Sequence, residues 1–234
     1  MKNTLSELYE VKRGADKEII IAPKNSKHEC TLVWLHGLGD SAEGFLPFFY
    51  SEDSPAPSGC KVILLNAPMV TMKMYGNAQM RAWFEVVDPS DASQKKSVKA
   101  DIKATMEKIK LLIAQEASLL SNNLKKMFIG GFSQGCMMSL LVGFEYGSSL
   151  GGIVGLSGML LNPAKIPSQL PPILLVHGTS DAVVLYDQAV ASYMRDGFLE
   201  RSEVSFYKVN GMDHSVHPTV IELVRTFLLD NLKQ

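Results

Sequence analysis

The feature that most constrains the fold is the pentapeptide Gly131-Phe132-Ser133-Gln134-Gly135, which places a serine between two glycines. The apolar run Met127-Phe128-Ile129 precedes it, and a helix-like stretch over residues 136–146 follows. A G-x-S-x-G turn between a strand and a helix is typical of a nucleophile elbow, which strains the serine backbone and lifts its hydroxyl out of the sheet. Because Gly131 and Gly135 have no Cβ, strand and helix can approach closely. An ordinary glycine-flanked turn is the alternative interpretation.

Short β-rich runs alternate with helical patterns along the rest of the chain. Strands are predicted at residues 18–21, 31–35, 61–65, 127–129, 152–156, 173–176 and 204–207. Helices are predicted from Asp101, as cap or first-turn residue, to about Ile113, from about 185 to 195, and from Pro218 onward. This alternation predicts an α/β fold with a mostly parallel central sheet and helices on both faces. We expect residues 1–234 to form one domain.

Residues 70–99 break this rhythm, because they carry no clear periodicity. The first half of the segment is rich in methionine and aromatic residues, and the second half is polar. A stretch of that length between regular elements is usually functional or disordered. We therefore predict an irregular insertion here that acts as a lid or lines an acyl channel.

Composition excludes several classes of function. A net charge of −1 argues against nucleic acid or an anionic membrane as an obligate partner, because both require a basic surface. No apolar run approaches the roughly 18 residues that would span a bilayer, so we expect no stable membrane insertion. Three scattered cysteines and the lack of a signal-peptide core favour a reducing, cytoplasmic location. With no C-x-x-C, G-x-G-x-x-G or Walker pattern, we expect no metal and no cofactor.

A serine nucleophile needs a base, and two of the five histidines follow the last predicted strand, where this base should lie. His214 follows a glycine turn and is favoured over His217, which abuts Pro218 at a helix entrance. His36 and His177 each end a buried strand and precede a glycine. For these two, a structural role with the imidazole bonded to nearby backbone is favoured.

The predicted acid is Asp181, one loop beyond the strand at residues 173–176 and between the serine and the histidine in chain order. Its alternative role is to cap the following helix. Asp187, inside a predicted helix, and Asp213, beside His214, are weaker candidates.

Two backbone N–H groups are candidates for an oxyanion hole. Gln134 follows the nucleophile and begins a helix, where the dipole favours negative charge. Leu38 lies between Gly37 and Gly39 after an early strand, so its N–H is free to point inward. A plain strand-to-helix turn is the alternative for this loop.

Five motifs occur in a characteristic order: Leu35-His36-Gly37-Leu38-Gly39-Asp40-Ser41, Trp83-Phe84, Gly130-Gly131-Phe132-Ser133-Gln134-Gly135, His177-Gly178-Thr179-Ser180-Asp181 and Gly211-Met212-Asp213-His214. Together they resemble the acyl-protein thioesterase and carboxylesterase family of α/β-hydrolases. The resemblance implies a triad of Ser133, Asp181 and His214 with an oxyanion hole at Leu38 and Gln134.

The resemblance also implies a substrate-binding surface. In the family, the region before Trp83 helps to line the acyl channel. The residues assigned to substrate binding on this basis are Met72, Met74, Tyr75, Trp83 and Phe84. This chain departs from the family pattern in its methionine content and in Gln79-Met80-Arg81-Ala82, which affects the preference for chain length rather than the chemistry.

The expected function is therefore a serine hydrolase that removes palmitoyl groups from protein cysteines. A carboxylesterase or lysophospholipase acting on small or medium acyl esters is the alternative. A non-catalytic ligand-binding protein is a third hypothesis, disfavoured because all three triad residues are present. The expected partners are an acylated protein or a small ester, and apolar residues near the insertion leave a homodimer open.

Overall fold

The computed structural model describes residues 4–87, 92–161 and 165–233, without the side chains of residues 92–97. Its central sheet has eight strands in the order β1-β2-β4-β3-β7-β8-β9-β10. These strands are β1 (Tyr9–Arg13), β2 (Ile19–Pro23), β3 (Cys30–Leu35), β4 (Cys60–Leu65), β7 (Met127–Phe132), β8 (Gly152–Leu156), β9 (Ile173–Gly178) and β10 (Val204–Val209). Strands β1, β2 and β4 pair antiparallel in succession, and every other pairing is parallel.

Helices cover both faces of this sheet, which confirms the predicted α/β class. The helices are α1 (Leu5–Leu8), α2 (Ala42–Phe49), α3 (Ala92–Leu119), α4 (Gln134–Phe144), α5 (Tyr186–Tyr193) and α6 (Pro218–Leu232). Apolar residues of α3, α4 and α5 pack in the core on one face, and those of α2 and α6 pack in the core on the other. The inner strands β3, β7, β8 and β9 therefore read as continuous apolar runs, as strands buried on both faces should.

The prediction of an irregular insertion over residues 70–99 is wrong in part. Strands β5 (Met69–Met72) and β6 (Ala78–Arg81) form an antiparallel hairpin, and α3 begins at Ala92. The hairpin pairs only with itself and is mostly exposed or half-buried, so it gives no alternating apolar pattern. Residues 88–91 lie outside the described part of the chain.

Asp101 does not begin a helix, because α3 starts nine residues before it. The sequence Ser93-Gln94-Lys95-Lys96 has no apolar stripe that would have revealed those first turns. Within the described ranges, no helix is both long enough and apolar enough to cross a bilayer.

The carboxyl ends of the parallel strands meet at one edge of the sheet. The loops that follow β3, β7, β9 and β10 therefore lie in the same region, although they are far apart in sequence. The candidate serine, acid and base, and the loop that carries Leu38, each follow a different one of these four strands.

Candidate active site

Ser133 lies between β7 and α4 with φ 53° and ψ −117°, a conformation that residues with a Cβ rarely adopt. Its N–H donates to Leu156 O at 2.8 Å, which ties the turn to β8. A Cβ on Gly131 would overlap the backbone of Gly135, and one on Gly135 would overlap Leu35 O. Only glycine fits at both positions, so the turn is the strained elbow that its sequence predicts.

Asp181 is 4% exposed and uses its two carboxylate oxygens for different purposes. Oδ1 accepts from the N–H groups of Val183 and Val184, both at 2.9 Å. Oδ2 accepts from His214 Nδ1 at 2.7 Å. Asp181 does not cap the following helix, because the N-cap of α5 is Leu185. One of its oxygens instead accepts from the turn before that helix, and the other contacts the predicted base.

The contact with Asp181 fixes the form of the His214 ring. A carboxylate only accepts hydrogen bonds, so Nδ1 carries the proton and a neutral ring presents Nε2 as an acceptor. The ring lies 4.7 Å, centroid to centroid, from that of Phe132, the residue before Ser133. No hydrogen bond joins Ser133 to His214 in the described part of the chain. Such contacts often tighten only when substrate binds.

The rejected candidates have other contacts. His217 accepts from Thr219 N–H at the start of α6, which confirms its position at the helix entrance. Asp213 accepts a short hydrogen bond from Ser215 Oγ and stays outside the Asp181–His214 pair. Asp187 lies in the first turn of α5, as expected.

The loop that carries Leu38 follows β3 and passes close to the serine. A Cβ on Gly37 would lie 3.4 Å from Ser133 Cβ, so this loop passes directly beside the nucleophile. Gly39 N–H donates to Arg81 O at 2.8 Å, and Asp40 N–H donates back to Gly37 O at 3.2 Å. Among the described residues, the N–H groups of Leu38 and Gln134 have no acceptor, which leaves both available to an oxyanion.

The side chain of Gln134 has a role that the sequence did not reveal. Its Oε1 accepts from Trp83 N–H at 2.8 Å, and its Nε2 donates to Phe84 O at 2.8 Å. Trp83 Nε1 in turn donates to His36 O at 2.7 Å. Trp83 and Phe84, which follow the hairpin, are thus bonded both to His36, at the start of the loop that carries Leu38, and to Gln134 in the elbow. The position of a glutamine beside the serine does not by itself indicate these side-chain hydrogen bonds.

The five predicted substrate-binding residues fall into two groups. Met74 and Tyr75 are about half exposed at the tip of the hairpin, whereas the other three are buried: Met72 is 0%, Trp83 3% and Phe84 6% exposed. Trp83 and Phe84 pack into the core beside α3 and α4 while bonded to Gln134. Their contact with substrate stays a prediction.

His36 and His177 are buried and bonded to backbone, as expected for structural histidines. His36 Nδ1 donates to Gly37 O at 2.6 Å, and its Nε2 accepts from Ala67 N–H at 3.0 Å. His177 Nε2 donates to Val184 O at 2.8 Å. Burial lowers the pKa of both imidazoles, because desolvation disfavours the charged ring. Both rings are therefore neutral at pH 7.

The three cysteines are free thiols in the interior of the protein. Cys30, Cys60 and Cys136 are all free and buried. Burial raises the pKa of the Cys136 thiol to about 12, so it is not a nucleophile at neutral pH. Within the described ranges, no group of three His, Cys, Asp or Glu side chains is arranged so that it could hold a metal ion.

Comparison with known proteins identifies the family of this chain. Residues 16–232 match the phospholipase/carboxylesterase family. Acyl-protein thioesterase 1 of Yarrowia lipolytica is 30% identical over 91% of this chain and 96% of that protein. Acyl-protein thioesterase 1 of Schizosaccharomyces pombe is 35% identical over 75% of this chain and 80% of that protein.

Solved structures share the fold along most of their length. The crystal structure of Zea mays acyl-protein thioesterase 2 matches with a TM-score of 0.71 at 28% identity, and the match covers 92% of this chain and 98% of that one. Esterase PE8 matches with a TM-score of 0.72 at 20% identity over 94% of this chain and 99% of that one, which bears on fold alone. The chain belongs to the phospholipase/carboxylesterase family of α/β-hydrolases.

Proposed function

We propose that this protein is a serine hydrolase that cleaves fatty acyl thioesters, and that it removes palmitoyl groups from the cysteines of acylated proteins. The observation that carries the proposal is the 2.7 Å hydrogen bond from His214 Nδ1 to the buried Asp181, at a ring that packs against Phe132, the residue before the elbow serine. The names of the fungal and maize relatives support the choice of thioesters.

In the acylation step, Ser133 Oγ attacks the thioester carbonyl carbon while His214 Nε2 takes the hydroxyl proton. Asp181 holds the ring in the Nδ1–H form and stabilises the imidazolium that results. The carbonyl oxygen becomes an oxyanion and accepts from the N–H groups of Leu38 and Gln134. When the tetrahedral intermediate collapses, the carbon–sulfur bond breaks, and the leaving thiolate takes the proton from His214.

In the deacylation step, the same residues act on water. His214 Nε2 removes a proton from a water molecule as its oxygen attacks the acyl-serine carbonyl. Collapse of the second intermediate releases the fatty acid, and His214 returns the proton to Ser133. This cycle consumes one water and needs no metal or redox partner.

Labelling with a fluorophosphonate probe tests the nucleophile. The wild-type protein should be labelled on Ser133, and Ser133→Ala should not react. Equal labelling of the two proteins would overturn the assignment of Ser133. His217→Ala serves as a matched control for His214→Ala, because only the latter should reduce turnover by several orders of magnitude.

Comparison of acyl chains tests the substrate class. We expect turnover of a palmitoylated-cysteine peptide to exceed that of a butyryl ester in kcat/KM. A strong preference for acetyl or butyryl esters with no release of palmitate would instead identify a carboxylesterase. Release of fatty acid from a lysophospholipid alone would identify a lysophospholipase.

The remaining expectations are also proposals. The free cysteines are consistent with a reducing compartment, and we place the enzyme in the cytoplasm. The expected partner is an acylated protein that presents its lipid at the loops beyond the carboxyl ends of the strands. A homodimer is an expectation that sedimentation of the purified protein would test.

A further inference from the structure

Asp181 contacts two imidazoles rather than one. Its Oδ2 lies 2.7 Å from His214 Nδ1 and 3.4 Å from His177 Nε2. The side chains of Asp181 and His177 are 0% and 1% exposed, so solvent does not screen this second contact. His177 is the last residue but one of β9, and Asp181 follows it by four residues.

The hydrogen bonds determine which nitrogen of His177 carries the proton. Its Nε2 lies 2.8 Å from Val184 O, and a carbonyl only accepts, so Nε2 must be the donor. Burial keeps the ring neutral, which leaves Nδ1 unprotonated. The single Nε2–H therefore donates to the carbonyl of Val184, and the same nitrogen makes a longer polar contact of 3.4 Å with the carboxylate of Asp181.

Two hydrogen bonds and the 3.4 Å contact connect His177 to the acid loop. Asp181 Oδ1 accepts from Val184 N–H, and Val184 O accepts from His177. His177 belongs to an inner strand, and Tyr186 of α5 packs edge-on against its ring at 6.1 Å. The imidazole thus connects a rigid strand to both the carboxylate and the turn that presents it.

We propose that His177 is a positioning residue for this reaction, which holds the Asp181 carboxylate in the orientation that His214 requires. This inference rests on the proposed function. His177 does not touch the reacting atoms, and it acts through Asp181. The titratable groups that face its ring are Asp181 and His214 from the two loops and Tyr186 from α5.

The test uses two amides that differ by one methylene. In His177→Gln the amide nitrogen reaches approximately the position of Nε2 and can still donate to Asp181. In His177→Asn the shorter side chain places its nitrogen near Nδ1, away from the carboxylate. We expect Asn to reduce kcat about ten- to a hundredfold with KM within about twofold, because the base is misaligned, and Gln to recover most of the loss.

The pH profile separates positioning from simple structural support. If Asp181 is less well aligned, it stabilises the imidazolium of His214 less, so the acidic limb of kcat/KM should move to lower pH in His177→Asn. Active sites are first counted by exhaustive fluorophosphonate labelling, so that unfolded protein does not count as lost activity. A kcat per labelled site within twofold of wild type, or an acidic limb that stays in place or rises, would overturn the inference.

A measurement on the wild-type protein keeps the inference testable if neither variant folds. Nitrogen-15 chemical shifts of His177 should report the neutral Nε2–H tautomer between pH 7 and 8. An Nδ1–H tautomer or a charged ring would overturn the inference. Failure of the proposed function would look different, because the wild-type protein would then not react with the fluorophosphonate probe at all.

Discussion

The two halves of the site are held by different kinds of interaction. On the oxyanion side, the loop after β3 is held by hydrogen bonds of His36 and of backbone groups, and the neutral amide of Gln134 bonds the neighbouring residues Trp83 and Phe84. On the acid–base side, the loops after β9 and β10 are joined by the buried carboxylate of Asp181, which contacts two imidazoles. Each half contains one buried histidine at a strand end, in the sequences Leu35-His36-Gly37 and Val176-His177-Gly178.

This difference shows that one sequence pattern, a histidine at a strand end followed by glycine, can make two different sets of contacts. His36 bonds only to backbone, where it shapes the loop that carries Leu38. His177 reaches a carboxylate as well as backbone. Because Asp181 is a buried carboxylate and the amide of Gln134 is neutral, substitutions at these two residues should respond differently to pH.

The largest effect is expected on the charged side. Asp181→Asn should lower kcat about 10⁴-fold near pH 7, because the amide cannot stabilise the imidazolium and favours the wrong tautomer of His214. Steady-state kinetics with a soluble ester would measure this loss. Asp187→Asn is the matched control, since Asp187 is exposed in the first turn of α5 and should change kcat by less than about twofold. Similar effects of the two substitutions would contradict the role of Asp181.

A smaller effect is expected on the neutral side. Gln134→Leu keeps the backbone N–H but leaves Trp83 N–H and Phe84 O unpaired in the interior, at a cost of roughly 1–3 kcal/mol for each group. We expect kcat to fall about tenfold, and to the same extent at every pH, because the substitution removes no charged group.

Gln79→Leu is the matched control for Gln134→Leu, because its amide bonds only to Thr71 on the exposed hairpin. Urea unfolding and pH-dependent kinetics of both variants would test the comparison. A loss in Gln134→Leu that grows toward low pH would show that the oxyanion side is not independent of the acid–base pair.

The smallest effect concerns stability. The pKa values of His36 and His177 in the folded protein lie below the unfolded value of about 6.5. As the pH falls below about 6.5, the unfolded chain therefore binds more protons than the folded protein does. The free energy of unfolding should therefore fall toward low pH, by at most about 1.4 kcal/mol per pH unit for each histidine. Urea midpoints between pH 7.5 and 5 would measure the slope. Stability that rises as the pH falls through this range would contradict the prediction.

Much of this architecture is readable from the sequence, for identifiable reasons. The inner strands are long apolar runs, and the elbow is bounded by glycines that nothing else could replace, so both were predicted. The edge strand Tyr9–Arg13 and the hairpin were missed, because partly exposed strands need no apolar alternation. The contacts of Gln134 and His177 depend on which loops meet in space, which one-dimensional spacing does not specify.

The double attachment of Gln134 has a consequence for redesign. The proposed mechanism uses the main-chain N–H of Gln134, whereas its side-chain amide bonds the residues that directly follow the hairpin. Replacing the hairpin to accommodate another lipid should therefore succeed only if Ala82, Trp83 and Phe84 are left as they are. A graft that includes these three would alter turnover and selectivity together, and the two could not be tuned separately.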